Sequence, residues 1–102
     1  MKHAMIVMTA LAVLAGTAQL ASAADGKAVY DKSCASCHNK GLMGSPKLGD
    51  KAKWEPLIKT GQAAMEESVT KGKGKMKPKA GKEDLSADDI KASVEYMIKQ
   101  AQ

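Results

Sequence analysis

Residues 34–38 read Cys-Ala-Ser-Cys-His, and this C-x-x-C-H pattern is the most informative feature of the chain. Two thiols three positions apart can add to the two vinyl groups on one edge of a porphyrin, and the adjacent imidazole can then bind the iron. Covalent attachment of this kind retains a cofactor that a short chain cannot enclose. The pattern therefore predicts that Cys34 and Cys37 attach a single haem and that His38 is an axial ligand of its iron.

Residues 1–23 have the features of a secretory signal peptide. Lys2 gives a positive start, residues 4–15 form an almost uninterrupted apolar run, and A-S-A at 21–23 is a small-x-small pattern that signal peptidase accepts. We predict cleavage after this pattern, a bacterial periplasmic location, and a mature domain of residues 24–102 without stable membrane insertion. The alternative is an uncleaved anchor. A spanning helix needs about 20 strongly apolar residues, whereas polar residues dilute the second half of this segment.

The composition is that of a small, basic domain with few aromatic side chains. The full chain has 102 residues, of which 3% are aromatic, and Phe is absent. A domain of this size usually needs a disulfide, a metal or a cofactor to complete its core. The 16 basic residues are all lysines and outnumber 11 acidic residues, so the net charge is +5. This charge suits acidic partners, whereas one Trp, two Tyr and no Arg leave little with which to bind nucleic acid.

Two cysteines also fit three other kinds of site. In an oxidising compartment a cysteine pair is normally read as a disulfide. A C-x-x-C redox motif would open a helix after a β-strand, and this chain shows no strand pattern. A zinc site would need a fourth ligand, and the mature chain has no Cys or His beyond Cys34, Cys37 and His38. We favour the haem because the signal peptide, the thin core and the lone histidine all agree with it.

Apolar spacing and capping residues predict four short helices and no strand, so the expected fold class is all-α. The predicted helices span residues 25–33, 51–59, 62–70 and a final segment that starts after Ser86. Ser86 and Asp89 form a capping box for this last helix. Its apolar residues recur at helical spacing: Ile90, Val94, Met97, Ile98 and Ala101. Segments rich in Gly, at 39–50 and 71–84, separate the helices.

A methionine is the best candidate for the second axial iron ligand, with a lysine or an external molecule as the other options. Met65 and Met97 lie on apolar sides of predicted helices, and Met43 is too close in sequence to His38 to reach the opposite ring face. Met76 lies in a polar loop rich in Gly and Lys, where an isolated apolar residue needs an explanation. We therefore predict that Met76 binds the iron, which would stabilise the ferrous state and raise the reduction potential.

Three pieces of the chain together resemble the class I cytochromes c, and most closely the cytochrome c5 subfamily. They are G-K-A-V-Y-D-K-S-C-A-S-C-H at 26–38, G-S-P-K-L-G-D-K-A-K-W at 44–54, and the Met76 loop followed by V-E-Y-M-I at 94–98. The resemblance covers essentially the whole mature chain. It implies short helices wrapped around one haem, with the first and last helices crossing. Gly26 would allow their close approach, and Tyr30 and Tyr96 would pack nearby.

The resemblance also implies how the haem surroundings are arranged. The Pro46 carbonyl would accept a hydrogen bond from Nδ1 of His38 and so fix the imidazole tautomer. Trp54 would lie near the haem, either donating its indole N–H to a propionate or simply buried in the core. One departure is the loss of a second Cys pair that the cytochrome c5 pattern often has, because A-G-K-E-D stands at 80–84 instead. We expect a looser loop there.

The function implied by the resemblance is soluble electron transfer, without enzymatic activity, and we expect a monomer. Partners would be quinol-oxidising complexes or dehydrogenases as donors, and terminal oxidases, reductases or peroxidases as acceptors. The alternative is a haem enzyme or ligand sensor with an open iron site. Peroxidase chemistry would want a distal His or Arg, and the mature chain has neither beyond His38.

Lysines are concentrated around Met76, where they alternate with other residues: Lys71, Lys73, Lys75, Lys77, Lys79 and Lys82. One explanation is a solvated loop that keeps the protein soluble. The explanation that we favour is a basic rim around the haem edge, in which Lys71 to Lys79 orient acidic redox partners.

Overall fold

Residues 24–102 form five α-helices in the computed structural model, which describes this part of the chain. α1 spans Gly26–Ser33, α2 Ala35–His38, α3 Lys51–Lys59, α4 Gln62–Lys71 and α5 Ala87–Gln100. No strand occurs among these residues. The all-α prediction is confirmed, with one helix more than expected because the residues after Cys34 form a helical turn of their own. The predicted signal peptide, residues 1–23, lies outside the described residues.

Side chains just before two helices determine where those helices begin. The Asp25 carboxylate accepts hydrogen bonds from the backbone N–H groups of Lys27 and Ala28. At α5, the hydroxyl of Ser86 accepts from the Asp89 N–H over 3.0 Å, and the Asp89 carboxylate accepts from the Ser86 N–H over 3.1 Å. These bonds satisfy N–H groups that a helix leaves without partners at its first turn. The predicted capping box is therefore confirmed.

α3 is a short helix that contains a proline and places one large side chain in the core. The Asp50 carboxylate caps its start by accepting from the Lys53 N–H. Pro56 then removes one donor from the helix, and α3 ends three residues later at Lys59. Between these two positions Trp54 is 3% exposed. The main contribution of this short helix to the core is that indole.

α1 and α5 cross at Gly26, where the two backbones touch. A Cβ atom at Gly26 would lie 2.2 Å from the carbonyl oxygen of Ala92 and 3.2 Å from Cβ of Tyr96. The rings of Tyr30 and Tyr96 pack together with centroids 5.3 Å apart. The crossing that the resemblance implies is present, and no side chain larger than hydrogen fits at Gly26.

The buried core is small and draws on four of the five helices and the segments between them. Its members are Tyr30, Cys34, Trp54, Met65, Val69, Leu85, Ile90, Val94, Met97 and Ala101. Two of these ten side chains are aromatic, and one is a cysteine of the C-x-x-C-H pattern. The site and the core are therefore continuous.

Lys79 and Ala80 have backbones in the left-handed region, each with a φ of 54°. They lie in the 3-10 turn Pro78–Gly81, close to the position of the missing Cys pair. The Cβ atom of a non-glycine residue crowds the following carbonyl in this region, at a cost of about 1–2 kcal/mol per residue. This turn is therefore a strained part of the backbone.

Replacing Ala80 by glycine is expected to stabilise the protein by about 1 kcal/mol, because glycine adopts a positive φ without this crowding. Denaturant unfolding of the holoprotein measures the change. Ala63→Gly on the exposed side of α4 is the matched control and should destabilise by about 1 kcal/mol through lower helix propensity. If both variants lost stability alike, the turn would not be strained at Ala80.

Candidate haem site

Cys34, Cys37 and His38 lie on the single helical turn that follows α1. The backbone N–H groups of Cys37 and His38 donate to the carbonyl oxygen of Cys34 over 3.3 and 3.1 Å. Residues three and four apart on such a turn lie on the same side of it. Cys34 is buried, Cys37 is half-buried, and neither is in a disulfide. The donor set therefore fits two thioether bonds to one porphyrin edge with an imidazole beside them.

The Cys34 thiol is buried beside Ser93 of α5, and this burial favours its protonated form. Burial raises its pKa, and the hydroxyl of Ser93 offsets part of that rise. Ser93 is itself buried and donates its hydroxyl to the Ile90 carbonyl over 2.9 Å. A redox-active C-x-x-C cysteine has a lowered pKa, so the raised value argues against that use of the motif.

The imidazole of His38 is oriented by a backbone carbonyl. Its Nδ1 lies 2.8 Å from the carbonyl oxygen of Pro46. A carbonyl can only accept, so Nδ1 carries the hydrogen and, in the neutral ring, Nε2 keeps its lone pair. The backbone is fixed as well, because the Leu48 N–H donates to the His38 carbonyl over 2.8 Å. These bonds close the loop between α2 and α3 and leave Nε2 available for a metal.

Trp54 packs against this histidine and uses its own polar group within the protein. The rings of Trp54 and His38 have centroids 5.8 Å apart. The indole N–H donates to the carbonyl oxygen of Lys47 over 2.8 Å. Since the indole has a single donor, the structure supports core burial for Trp54 over a bond to a propionate.

The four methionines of residues 24–102 lie in different surroundings. Met65 and Met97 are buried in the core, whereas Met43 is 61% exposed with its backbone in the left-handed region. Met76 is half-buried and packs against the core. It is the only one of the four that is both partly buried and outside the α-helices.

A tight hairpin presents Met76. The N–H of Lys73 donates to the Met76 carbonyl, and the N–H of Met76 donates to the Lys73 carbonyl, both over 2.9 Å. Gly74, at the first central position, has a φ of 59°, as a type II′ turn requires. Gly72 precedes the hairpin with a φ of 87°, and a Cβ there would lie 2.8 Å from the Met76 carbonyl oxygen. The backbone at Met76 is thus defined by its neighbours.

Tyr30 is nearly inaccessible, at 1% exposed, and its hydroxyl donates to the side-chain oxygen of Asn39. Burial is the main cause that raises the pKa of Tyr30 to about 12, and Cys34 and Tyr96 add to it. The phenol therefore remains a donor throughout the neutral range. Asn39 follows His38 directly and was not singled out by the sequence, because a single polar residue after the motif carries no recognisable pattern.

The lysines around Met76 differ in their surroundings. Lys71 donates to the Glu67 carboxylate over 2.7 Å on α4, and this bond raises the pKa of Lys71 and lowers that of Glu67. Lys73, Lys75 and Lys77 are exposed, whereas Lys79 is half-buried in the strained turn. The charge of Lys71 is therefore partly neutralised, and the freest part of the basic rim is the stretch 73–77.

Two further kinds of site are not supported within residues 24–102. That part of the chain contains no cluster of three or more His, Cys, Asp or Glu side chains arranged to hold a metal ion. None of its helices is long and apolar enough to cross a membrane.

Comparison with known proteins agrees with the geometry of the C-x-x-C-H turn. A family model described as cytochrome C oxidase, cbb3-type, subunit III matches residues 21–97. Cytochrome c-555 of Chlorobaculum tepidum is 43% identical over 93 residues, covering 87% of this chain and 86% of that protein. Cytochrome c5 of Azotobacter vinelandii is 35% identical over 77 residues, covering 74% and 93%.

A solved structure is similar as well. It is a crystal structure of the electron transfer complex of nitrite reductase with cytochrome c, matched with a TM-score of 0.73 and 38% sequence identity. The match covers 76% of this chain and 94% of that one.

Proposed function

Because this chain belongs to the small class I cytochromes c, with cytochrome c5 among its close relatives, we propose that it is a soluble periplasmic electron carrier with His/Met axial ligation. The family carries a covalently bound haem c, and its members in the comparison are electron-transfer cytochromes. The observation that carries the proposal is the turn of Cys34, Cys37 and His38, with its free thiols and its oriented imidazole. Single-electron exchange is the chemistry that haem c supplies when bound.

The residues around the turn would hold the cofactor and tune it. Cys34 and Cys37 would form the two thioether bonds, and His38 would bind iron through Nε2. The hydrogen bond from Nδ1 to Pro46 makes the imidazole a stronger donor and prevents its rotation. Met76 would bind on the opposite side, where a thioether favours the reduced state.

Electron transfer without catalysis is the better of the two functions that the site allows. With both axial positions filled by side chains, no substrate would reach the iron, and the rigid supports of His38 and Met76 would keep the ligands unchanged between oxidation states. A haem enzyme or ligand sensor would need an open position instead. Nothing in the surroundings of His38 favours that alternative.

We propose that the exposed lysines at 73, 75 and 77 orient an acidic redox partner. The structural neighbour, a cytochrome c in an electron transfer complex with nitrite reductase, supports partners of the reductase kind. Attraction between opposite charges raises association rates and is screened by salt. The rate of electron transfer to an acidic partner should therefore fall as ionic strength rises, and a rate independent of salt would exclude this role.

Residues 1–23 are proposed to be removed on export. Mass spectrometry of the protein from the periplasmic fraction should give an N-terminus at Ala24 and the added mass of one haem. Recovery of the intact N-terminus from the membrane fraction would instead indicate a retained anchor.

The proposed ligation predicts that the purified holoprotein contains one haem that resists acid extraction and that its ferrous form does not bind carbon monoxide on mixing. The physical reason is that two protein side chains already fill the axial positions. Absorption spectroscopy of the reduced protein with and without carbon monoxide measures this. Rapid binding would overturn the carrier proposal in favour of an open iron site, whereas haem lost to acid extraction would overturn the thioether assignment.

A further inference from the structure

We propose that Tyr30 and Asn39 are positioning residues that tie the iron-binding turn to the crossing of α1 and α5. The inference rests on the proposed role of His38 as an iron ligand. The hydroxyl of Tyr30 donates to the side-chain oxygen of Asn39, which is the residue directly after His38. The bond links residues nine apart in sequence, and it reaches from the interior of α1 to the end of α2.

The Tyr30–Asn39 bond differs from the other hydrogen bonds around His38, because its donor is a side chain of α1. The imidazole is held by Pro46, the His38 carbonyl by the Leu48 N–H, and the Asn39 N–H by the carbonyl of Ala35. All three bonds join residues within the segment 35–48. They make this segment rigid internally. Its backbone follows on from α1 through Cys34, whose N–H donates to the Tyr30 carbonyl over 2.9 Å. The Tyr30 hydroxyl adds a side-chain hydrogen bond from α1 to the far end of the turn.

The donor side of the bond is anchored in the centre of the molecule. Tyr30 lies four positions after Gly26 on α1, and its ring packs on that of Tyr96 from α5. Tyr30 is buried, so its phenol has little freedom to move, whereas Asn39 is exposed. The bond thereby links the residue after His38 to the helix crossing, where the backbones of α1 and α5 are in close contact at Gly26.

A set of variants isolates this role in the holoprotein. Tyr30→Phe removes the donor and keeps the ring packing, and Asn39→Ala removes the acceptor. Asn39→Asp keeps an acceptor oxygen at the same position. Tyr96→Phe is the matched control, because it removes a hydroxyl from the same ring pair and leaves the Tyr30–Asn39 bond intact.

Hydrogen exchange of the backbone N–H groups of Asn39 and Leu48, followed by NMR, measures how often the segment opens. Tyr30→Phe and Asn39→Ala should each increase these rates about fivefold, as expected when local opening no longer breaks one hydrogen bond. The double variant should exchange no faster than either single one. Asn39→Asp and Tyr96→Phe should exchange at the original rate. The NMR signals of the His38 ring in the ferric protein should shift in Tyr30→Phe and in Asn39→Ala, and remain in place in Asn39→Asp.

Two results would overturn the proposal. One is unchanged exchange at Asn39 and Leu48 in Tyr30→Phe. The other is an equal increase at α5 amides such as Val94, since that would indicate general destabilisation. These amides can be observed whichever ligands the iron has. A failure here is therefore distinct from a failure of the electron-carrier proposal, which would appear in the unmodified protein as carbon monoxide binding.

Discussion

Replacing Gly26 by alanine is expected to destabilise the folded protein by about 3 kcal/mol, at the upper end of what overpacking a core costs. The added Cβ would lie 2.2 Å from the carbonyl oxygen of Ala92 and 2.9 Å from its carbonyl carbon. Both atoms belong to the backbone of α5, so no side-chain rotation can relieve the contact. The helices would have to separate, and the packing of Tyr30 against Tyr96 would be lost with the crossing.

Helix propensity alone predicts that Gly26→Ala would stabilise the protein. Alanine in a helix is favoured over glycine by about 1 kcal/mol, so a neutral or stabilised Gly26→Ala variant would show that the crossing is not as close as the structure has it. Denaturant unfolding of the holoprotein distinguishes the two outcomes. Gly44→Ala is a suitable control, because Gly44 has a φ of 80° but no atom lies within 4 Å of an added Cβ. The free energy of unfolding of Gly44→Ala should therefore fall only by the smaller cost of placing a non-glycine residue at a positive φ.

The parts of the fold that were predicted correctly depend on short-range chemistry. Asp25, Ser86 and Asp89 cap helices through atoms two or three residues away, so their roles can be read directly from spacing. The same holds for the apolar spacing that places Ile90 and Val94 in the core. The helical turn at Ala35–His38 was not predicted, although it is also local, because one helical turn suffices to bring the three side chains of the C-x-x-C-H pattern to one side.

The parts that were missed depend on backbone groups that every residue possesses. The acceptor of the Trp54 indole is the carbonyl of Lys47, and a carbonyl leaves no signature in the sequence. The sequence therefore left two roles open for Trp54. The bond from His38 to Pro46 has the same character and was expected only from family resemblance. The left-handed backbones of Lys79 and Ala80 were likewise invisible, since the surrounding fold imposes them against local preference.

The proposal that Met76 binds the iron is supported by a backbone feature that the surrounding sequence does not reveal. The stretch 71–84 reads as an irregular loop, yet the reciprocal bonds between Lys73 and Met76 and the positive φ of Gly74 form a defined hairpin. An iron ligand benefits from such a support, because a backbone already held in place loses less conformational entropy when its side chain binds. The exposure of Met43 and the burial of Met65 and Met97 leave no comparable methionine in residues 24–102.

Replacing Met76 by alanine is expected to open one axial position of the iron. The ferrous holoprotein should then bind carbon monoxide on mixing, because no side chain competes for the site. Its reduction potential should fall by an amount on the order of 0.1 V, since thioether ligation favours ferrous iron and axial ligands set the potential over a range of about 0.8 V. Absorption spectroscopy with carbon monoxide and a spectroelectrochemical titration measure the two effects. Haem attachment should not change, because Cys34, Cys37 and His38 are untouched.

Two further variants make the Met76 assignment specific. Met43→Ala removes an exposed methionine and should leave both carbon monoxide binding and the potential unchanged. Gly72→Ala keeps Met76 but places a Cβ 2.8 Å from the Met76 carbonyl oxygen and 3.0 Å from Pro78, at a φ of 87°. It should disturb the hairpin and give partial carbon monoxide binding, between the unmodified protein and Met76→Ala. If Met76→Ala excluded carbon monoxide as the unmodified protein is expected to do, another residue would be the ligand, and the hairpin would serve a different purpose.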